Sequence, residues 1–361
     1  MTGRGPIRLA RPDVGEAELA AVAEVLASGQ LTMGPKVVEL ERRLAAACGV
    51  SEAVALSSGT AALHVAMHAL GVGPGDEVIV PAYTFPATAN AVELCGATAV
   101  LADVDPDTFN VDPRRVEEAL SARTKAALVV HLFGRPAEWD ALRAALPDRV
   151  ALVEDAAGAL GAASRGRPCG GLGVIGCLSF HPRKIVTTGE GGAITTSDPE
   201  LADAARRFRH HGIEPRGEFE IAAPGLNYRL ADVLCALGIP QLDRLDELVR
   251  ERSRVASLYT ERLEGLVGTP SAGPGDRHGW QAYVVRLDRR DDALRALRAS
   301  GIEAQIGTHA VHRLAAYRGR GSFPGADRAY ERALALPLST SMTEDEVDRV
   351  VAALTPFASA G

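Results

Sequence analysis

Long apolar runs, basic tracts and paired cysteines are all missing from this 361-residue sequence. No apolar stretch approaches the roughly 20 residues that a transmembrane helix needs, and the N-terminal residues lack the apolar core of a signal peptide. The net charge is −7, and no basic tract is long enough to follow a nucleic-acid backbone. We therefore predict a globular protein that binds neither membranes nor nucleic acid.

The five cysteines are scattered along the chain without CxxC spacing. This scattered arrangement disfavours a zinc site or a disulfide framework, and it predicts free thiols in a cytoplasmic protein. His64 and His68 stand four residues apart on a predicted helix, a spacing that can bind a metal ion. Because no acidic residue lies between them, we expect packing or surface roles for both and no metal site.

Apolar strands alternate with amphipathic helices from residue 53 to residue 154. This alternation predicts an α/β fold with a mainly parallel sheet that helices cover on both faces. Ligands of such sheets bind outside the carboxyl ends of the strands. Ser58, Phe85, Asp155 and Lys184 each follow a predicted strand, so we expect these four side chains to converge.

Composition changes after a long helical region, Ala231–Leu263, which we expect to bend near Pro240. Residues 269–279 are rich in glycine and proline and are typical of a linker. We predict an N-terminal arm and helix over residues 1–30, a large ligand-binding domain over 31–264 and a small C-terminal domain over 265–361.

Two short glycine motifs give opposite indications. Ser57–Thr60 joins a strand to a helix, where free N–H groups and hydroxyls attract an anion, although the same residues also suit a plain helix cap. Gly171–Gly176, with the sequence GLGVIG, matches the dinucleotide pattern G-x-G-x-x-G. It leads into a strand rather than a helix, so we reject it as a nucleotide site.

The segment Cys177–Ala193, CLSFHPRKIVTTGEGGA, places Lys184 on a loop between two predicted strands and close to several glycines. Partial burial would lower the pKa of this lysine, and a neutral amine can attack a carbonyl to form a Schiff base. Most lysines are solvated surface residues, so this interpretation depends on the groups around Lys184.

Eight separated motifs point to one family. In chain order they are GPKVVELE, SSGTAALH, PAYTFPATANA, ADVDPDTFNVD, VVHLFG, EDAAGALGA, SFHPRKIVTTGEGGAI and LNYRLADVLCALGIPQL. Together they resemble the sugar aminotransferases of the DegT/DnrJ/EryC1/StrS family, which depend on pyridoxal 5′-phosphate (PLP). The resemblance spans about residues 31–245 and continues more weakly to the end. It implies an aspartate-aminotransferase-like fold of type I, with a mainly parallel seven-stranded sheet in the large PLP-binding domain and a smaller α+β C-terminal domain.

The resemblance assigns three residues to the PLP ring and its aldehyde. Lys184 matches the lysine that forms a Schiff base with PLP, in the family pattern S-F-x-P-x-K. Asp155 matches the carboxylate that pairs with the pyridine nitrogen, which lets the ring draw electrons from the adjacent carbon. Phe85 matches the aromatic residue that stacks on the ring.

The resemblance assigns a second set of residues to the PLP phosphate. Ser58, Gly59 and Thr60 match the phosphate-binding turn, and Ser179 matches a hydroxyl that reaches the phosphate. Asn227 matches an asparagine that contacts the phosphate from the partner subunit. The chain is therefore expected to form a homodimer with shared active sites.

Two positions depart from the family pattern. The family usually has Gln or His where this chain has Gly158, and that side chain helps to hold the PLP ring or its hydroxyl. We therefore expect a neighbouring residue or water to replace it. The catalytic lysine is usually followed by Asn, and here Ile185 follows it.

By family analogy the amino donor is L-glutamate, and the expected acceptor is a nucleotide-linked 4-keto-6-deoxyhexose. A 3-keto sugar, a keto-inositol and an aromatizing synthase on an amino-shikimate route remain alternatives. A dehydratase branch has histidine in place of the lysine, and Lys184 argues against it. A non-catalytic PLP-binding regulator is the remaining class, but the chain shows no added DNA-binding segment before residue 31.

Six further residues are candidates for binding the acceptor, because fixed cations suit a diphosphate and the others lie in segments expected at the site. A solvated surface position is an equally good interpretation of each. They are Lys36, His181, Arg183, Arg229, His309 and Tyr317.

Overall fold

A computed structural model of the chain describes residues 5–214 and 219–358. The helices are α1 Glu16–Ser28, α2 Pro35–Cys48, α3 Gly59–Ala69, α4 Ala87–Leu94, α5 Pro113–Glu118, α6 Trp139–Ala145, α7 Pro199–Arg209, α8 Asp232–Asp243, α9 Leu245–Leu263, α10 Arg290–Ala299, α11 Pro324–Arg332 and α12 Glu344–Leu354. The strands are β1 Glu52–Leu56, β2 Glu77–Pro81, β3 Tyr83–Thr84, β4 Thr98–Ala102, β5 Thr124–Val130, β6 Ala151–Asp155, β7 Ala163–Ser164, β8 Arg167–Pro168, β9 Ile175–Ser179, β10 Gly192–Thr196, β11 Tyr283–Arg286, β12 Gln305–Ile306, β13 His309–Ala310 and β14 Ala333–Leu336.

Seven strands form one sheet in the order β1-β10-β9-β6-β5-β2-β4. The pairs from β9 through β6, β5 and β2 to β4 are parallel, whereas β10 runs antiparallel to both β9 and β1. These pairings confirm the predicted mainly parallel seven-stranded sheet. Because β10 alone is reversed, the carboxyl ends of the other six strands lie at the same edge.

Helices bury both faces of this sheet. One hydrophobic cluster joins β2 and β9 to α3 and α4, with Val80, Met67 and Cys177 among its members. A second cluster, which contains Leu40 and Ile239, covers the opposite face near β10 with α2 and α8. Strands buried on both sides must be apolar along their whole length, which explains the continuous apolar strands in the sequence.

A smaller antiparallel sheet, β11-β14-β12, lies in the C-terminal part of the chain with α10 and α12 packed around it. The hydroxyl of Thr343 caps α12, and Glu346 completes a capping box. α9 contributes side chains to two clusters: Val249 joins the second cluster, and Tyr259 joins the cluster of the small sheet. The domain boundary after residue 264 stays a prediction.

The helical region expected over Ala231–Leu263 is interrupted on the C-terminal side of Pro240, and a bend at Pro240 itself stays a prediction. α8 continues through Pro240 to Asp243, and the interruption comes at Arg244, which has non-helical backbone angles. The guanidinium of Arg244 bonds to Asp13 and Glu247, so side-chain contacts fix the junction between α8 and α9.

None of the helices in residues 5–214 and 219–358 is both long and apolar enough to cross a membrane.

Candidate active site

Three strand ends bring the predicted site residues to one edge of the large sheet. Ser58 follows β1, Asp155 ends β6 and Ser179 ends β9. Gly192 of β10 pairs with both the last residue of β1 and Ser179. A Cβ on Gly192 would lie 2.4 Å from the carbonyl oxygen of Ser58, so a glycine is required for this close approach.

The N-terminus of α3 forms a cradle for an anion. The Ser58 hydroxyl accepts a hydrogen bond from the Ala61 N–H at 3.0 Å, which identifies Ser58 as the helix cap. The N–H groups of Gly59 and Thr60, in the first turn, have no partner within a helix. A Cβ on Gly59 would lie 2.7 Å from the Cβ of Ser179, so the glycine allows the Ser179 hydroxyl to lie beside the helix start. Such a set of donors suits a phosphate group.

Asp155 is buried, with 6% of its surface exposed, and its carboxylate has a fixed orientation. One oxygen accepts from the Thr88 hydroxyl at 2.8 Å and the other from the Ala157 N–H at 3.2 Å. Burial raises the pKa of Asp155, whereas these two hydrogen bonds and the charge of Lys184 lower it. The Thr88 hydroxyl also lies 3.1 Å from that of Thr84. Thr88 is absent from the predicted site residues, although it stands three residues after Phe85.

Lys184 lies on the loop that follows β9 and is half-buried. Burial is the main cause that lowers the pKa of Lys184, and the charges of Arg183 and Arg252 lower it further. The charge of Asp155 acts in the opposite direction. A lysine with a lowered pKa carries more of the neutral amine that bonds to aldehydes.

The ring of Phe85 is 64% exposed, although large apolar side chains are usually buried. Its centroid lies 6.4 Å from that of the His309 ring, at an interplanar angle of 58°. The open face of Phe85 is therefore available to another flat ring. The residues present fit PLP: an anion cradle for its phosphate, a buried carboxylate for its ring nitrogen, an amine for its aldehyde and an aromatic face for its ring.

Three acceptor-binding candidates lie near this edge. His181 and Arg183 are exposed on the loop that carries Lys184, and the Arg183 guanidinium donates to Gln305 Oε1 at 2.8 Å. β13 pairs with β3, which places His309 opposite Thr84. Their roles in substrate binding stay predictions.

The other three candidates already have partners within the chain. The ammonium of Lys36 forms an ion pair with an acidic residue of α1 at 3.2 Å. Arg229 Nη1 lies 2.6 Å from His210 Nδ1. Tyr317 is buried, and its hydroxyl donates to Asn90 Oδ1 at 2.5 Å. Each would have to give up these bonds to contact a substrate.

Asn227 is exposed, and its bridge to His210 places it beside the end of α7. The next residue, Tyr228, accepts a hydrogen bond from the Ser57 N–H at 2.8 Å. Asn227 thus lies in a segment attached to the end of β1, with its own side chain directed to the surface.

Glu154 explains the glycine motif that resembles a nucleotide site. Its carboxylate accepts three backbone N–H bonds, from Gly170, Leu172 and Gly173, at 2.6–2.9 Å. His131 Nε2 lies 3.0 Å away, and His131 Nδ1 accepts the Ala137 N–H, so the neutral ring donates to Glu154. The glycine loop therefore wraps an internal carboxylate instead of an external phosphate.

Cys169 completes a buried cluster with His131 and Glu154, in which the three ligand-type atoms lie within 4.8 Å of one another. Both carboxylate oxygens of Glu154 already accept N–H bonds, so the cluster serves to fix the loop.

His64 and His68 have the expected packing roles: the His68 ring stacks on Phe208 at 3.7 Å, and His64 Nδ1 lies 3.3 Å from a tyrosine hydroxyl.

Comparison with known proteins adds three findings. The model of the DegT/DnrJ/EryC1/StrS aminotransferase family matches residues 12–355. GDP-perosamine synthase of Caulobacter vibrioides is 41% identical over 334 residues, which are 90% of each chain. The structure of the aminotransferase TlmJ from Streptoalloteichus hindustanus has a TM-score of 0.92 and 39% identity, and the match covers 97% of this chain and 98% of TlmJ.

A further solved structure bears on the cofactor. Spr1654 from Streptococcus pneumoniae, which is assigned as a sugar aminotransferase, has a TM-score of 0.93 and 30% identity, over 98% of this chain and 97% of that one. It has been solved in an apo form, a PLP form and a PMP form.

Proposed function

This chain belongs to the DegT/DnrJ/EryC1/StrS aminotransferase family, and from that premise we propose that it moves an amino group from L-glutamate to a nucleotide-linked keto-deoxysugar. Membership confirms the resemblance of the sequence motifs and makes the protein a PLP-dependent aminotransferase of the sugar class. The observation that carries the proposal is the pairing of a half-buried lysine of lowered pKa with a buried, oriented carboxylate.

Each residue of the site has a distinct task in this proposal. PLP, when bound, supplies an aldehyde that exchanges amines and a ring that withdraws electrons from the adjacent carbon. Lys184 would hold PLP through its aldehyde and, when its amine is free, would move a proton at the substrate carbon. The carboxylate of Asp155, oriented by Thr88, would keep the ring nitrogen protonated. Phe85 would cover one face of the ring.

The phosphate has its own set of donors in this proposal. Ser58, Gly59, Thr60 and Ser179 would hold it at the positive end of the α3 dipole, which favours an anion. Anchoring a charged group away from the reacting carbon fixes the ring while the bonds at the aldehyde change.

The acceptor is a nucleotide-linked 4-keto-6-deoxyhexose in this proposal. The name of the relative GDP-perosamine synthase contains a GDP-linked sugar, which makes a GDP-sugar the first acceptor to test. Arg183 is exposed beside Lys184, where its guanidinium can meet a diphosphate. Lys36, His181, Arg229, His309 and Tyr317 remain candidates for contacts to the acceptor.

A panel of acceptors tests this function. The holoenzyme is mixed with L-glutamate and one of several ketones: GDP-, dTDP- or UDP-linked 4-keto-6-deoxyhexoses, their 3-keto isomers, or a keto-inositol. We expect 2-oxoglutarate release with a nucleotide-linked 4-keto sugar, at a kcat/KM at least about tenfold above the other classes, which corresponds to about 1.4 kcal/mol of transition-state binding. Release with keto-inositol or a 3-keto sugar alone would replace the proposed acceptor, and no release with any ketone would favour a PLP-binding regulator.

A homodimer with shared sites accounts for the surface around Asn227. Three apolar side chains of the same segment are exposed, namely Phe219, Ile221 and Leu226, and Phe219 is 79% exposed. Exposed apolar groups beside a polar site are typical of an interface. A second copy that covers them would bring its Asn227 to the phosphate cradle.

A cytoplasmic location agrees with five free cysteines, four of them buried.

Mixing two inactive or weakened variants tests the shared site. Lys184→Ala lacks the amine, and Asn227→Ala lacks the asparagine. If Asn227 acts on the partner's site, each hybrid dimer contains one complete site, and a random mixture should recover up to about 25% of wild-type activity. Each variant incubated alone is the control. Activity no higher than the mean of the two variants would show that Asn227 acts within its own subunit.

A further inference from the structure

The stretch that follows Asp155 has no polar side chain of its own, since it reads Ala156-Ala157-Gly158-Ala159-Leu160. A Cβ on Gly158 would lie 3.0 Å from Cγ of Gln281, 3.4 Å from its Cβ and 3.8 Å from its amide carbon. The backbone of Gly158 is outside the left-handed region, so any residue could adopt its conformation. What restricts position 158 is therefore the side chain of Gln281.

Gln281 is also bonded to the loop that carries Lys184. Its Nε2 donates to the carbonyl oxygen of Arg183 at 2.7 Å, one residue before the lysine. The Gln281 amide thus lies between Gly158, which is close to Asp155 in the chain, and Arg183, which precedes Lys184. It joins the two segments on which the proposed chemistry depends.

The backbone that presents Gln281 is tightly fixed. The buried guanidinium of Arg252 donates to the carbonyl oxygens of Trp280 and Gln281, at 3.0 and 3.2 Å. Trp280 adopts a left-handed backbone conformation, with φ of 49°, and its N–H donates to His278 Nδ1 at 2.8 Å. A Cβ on Gly134 would lie 2.8 Å from the Gln281 nitrogen, so this segment passes against the large domain without spare room. Gln281 therefore has a defined position.

We infer that Gln281 supplies, from the C-terminal segment, the polar side chain that Gly158 does not have. Gln281 is a positioning residue: it orients the Lys184 loop and places an amide beside the PLP ring. This inference rests on the proposed function only for the identity of PLP as the ring that is bound. An amide near the ring oxygen next to the aldehyde alters the pKa of the lysine-bound cofactor, because it stabilises one protonation state over the other.

Exchanging the two side chains tests the inference. The variants are Gln281→Ala, Gly158→Gln and the double variant Gly158→Gln/Gln281→Ala. For Gln281→Ala we expect the midpoint of the pH titration of the PLP absorbance to shift by about one pH unit, and the PLP dissociation constant to rise about tenfold. Gly158→Gln alone should lower Tm, since its side chain overlaps Gln281. The double variant should return the absorbance midpoint and the PLP dissociation constant to near wild type, because the new glutamine occupies the space that Gln281 leaves.

Gln305→Ala is the matched control, because Gln305 also bonds to Arg183, although through the guanidinium. It should leave the absorbance midpoint unchanged. A wild-type midpoint in Gln281→Ala, or a double variant no closer to wild type than the single ones, would overturn the inference. The titration needs no sugar, so failure of the proposed acceptor leaves it intact, whereas a wild-type protein without a PLP absorbance band would contradict the proposed function itself.

Discussion

Replacing Lys184 with alanine should lower the rate constant of the first half-reaction by about 10⁴-fold, because in the proposed function one side chain provides both the amine that bonds to the PLP aldehyde and the group that moves the proton at the substrate carbon. The measurement is a single-turnover assay with saturating L-glutamate, which isolates the first half-reaction from the choice of sugar. Lys184→Arg should be equally inactive, since a guanidinium keeps the charge but stays protonated.

Covalent mapping gives the same prediction a readout independent of rate. The sequence contains only three lysines, Lys36, Lys125 and Lys184. After borohydride reduction of the holoenzyme, we expect the PLP mass on the peptide that contains Lys184 and on neither of the other two. Lys125→Ala is the control, because Lys125 pairs with an aspartate on the surface, and it should keep the modification. PLP attached to Lys36 or Lys125, or still attached in Lys184→Ala, would refute the assignment.

Asp155→Asn should lower kcat by about 10³-fold while PLP remains bound. Asparagine keeps the shape of the side chain and can still accept the Thr88 hydrogen bond. It has no charge, so it cannot keep a ring nitrogen protonated, and the ring then withdraws electrons weakly. Steady-state kinetics at saturating PLP measure the effect, and a kcat within tenfold of wild type would remove Asp155 from the chemistry.

The neighbouring Glu154→Gln is a matched control with the opposite expectation. Its carboxylate accepts backbone N–H bonds from the glycine loop, and an amide group would leave at least one of these donors without an acceptor. We expect the free energy of unfolding in urea to fall by about 3 kcal/mol, with kcat of the folded enzyme within about threefold of wild type. Two adjacent acids, Glu154 and Asp155, would then be separated into one that stabilises the fold and one that serves catalysis.

The sequence alone reveals the parts of this site that follow strands. Ser58, Asp155 and Ser179 converge because parallel strands end at the same edge, and hydrophobic periodicity is enough to locate those strands. The helix predicted within residues 1–30 is α1, Glu16–Ser28. The short buried strand β14 is not predicted, because four apolar residues carry no periodicity of their own.

Contacts between distant segments could not be predicted. Gln281 lies 98 residues after Arg183, and no local pattern indicates that its side chain fills the space above Gly158. Thr88 was missed for a similar reason, since a threonine near a helix start is usually a surface or capping residue. The context of the glycine motif at 171–176 argues against a nucleotide site, but the bonds of its N–H groups to Glu154 are visible only in three dimensions.

The packing of α9 determines how the protein unfolds. The first half of α9 packs in the hydrophobic core against the large sheet, and its second half packs in the core of the small sheet. A 19-residue rod anchored in this way cannot leave one core without disturbing the other. Heat or denaturant should therefore unfold both parts in a single cooperative transition. A C-terminal fragment that starts after residue 264 would lack the side chains of α9 that complete the core of the small sheet.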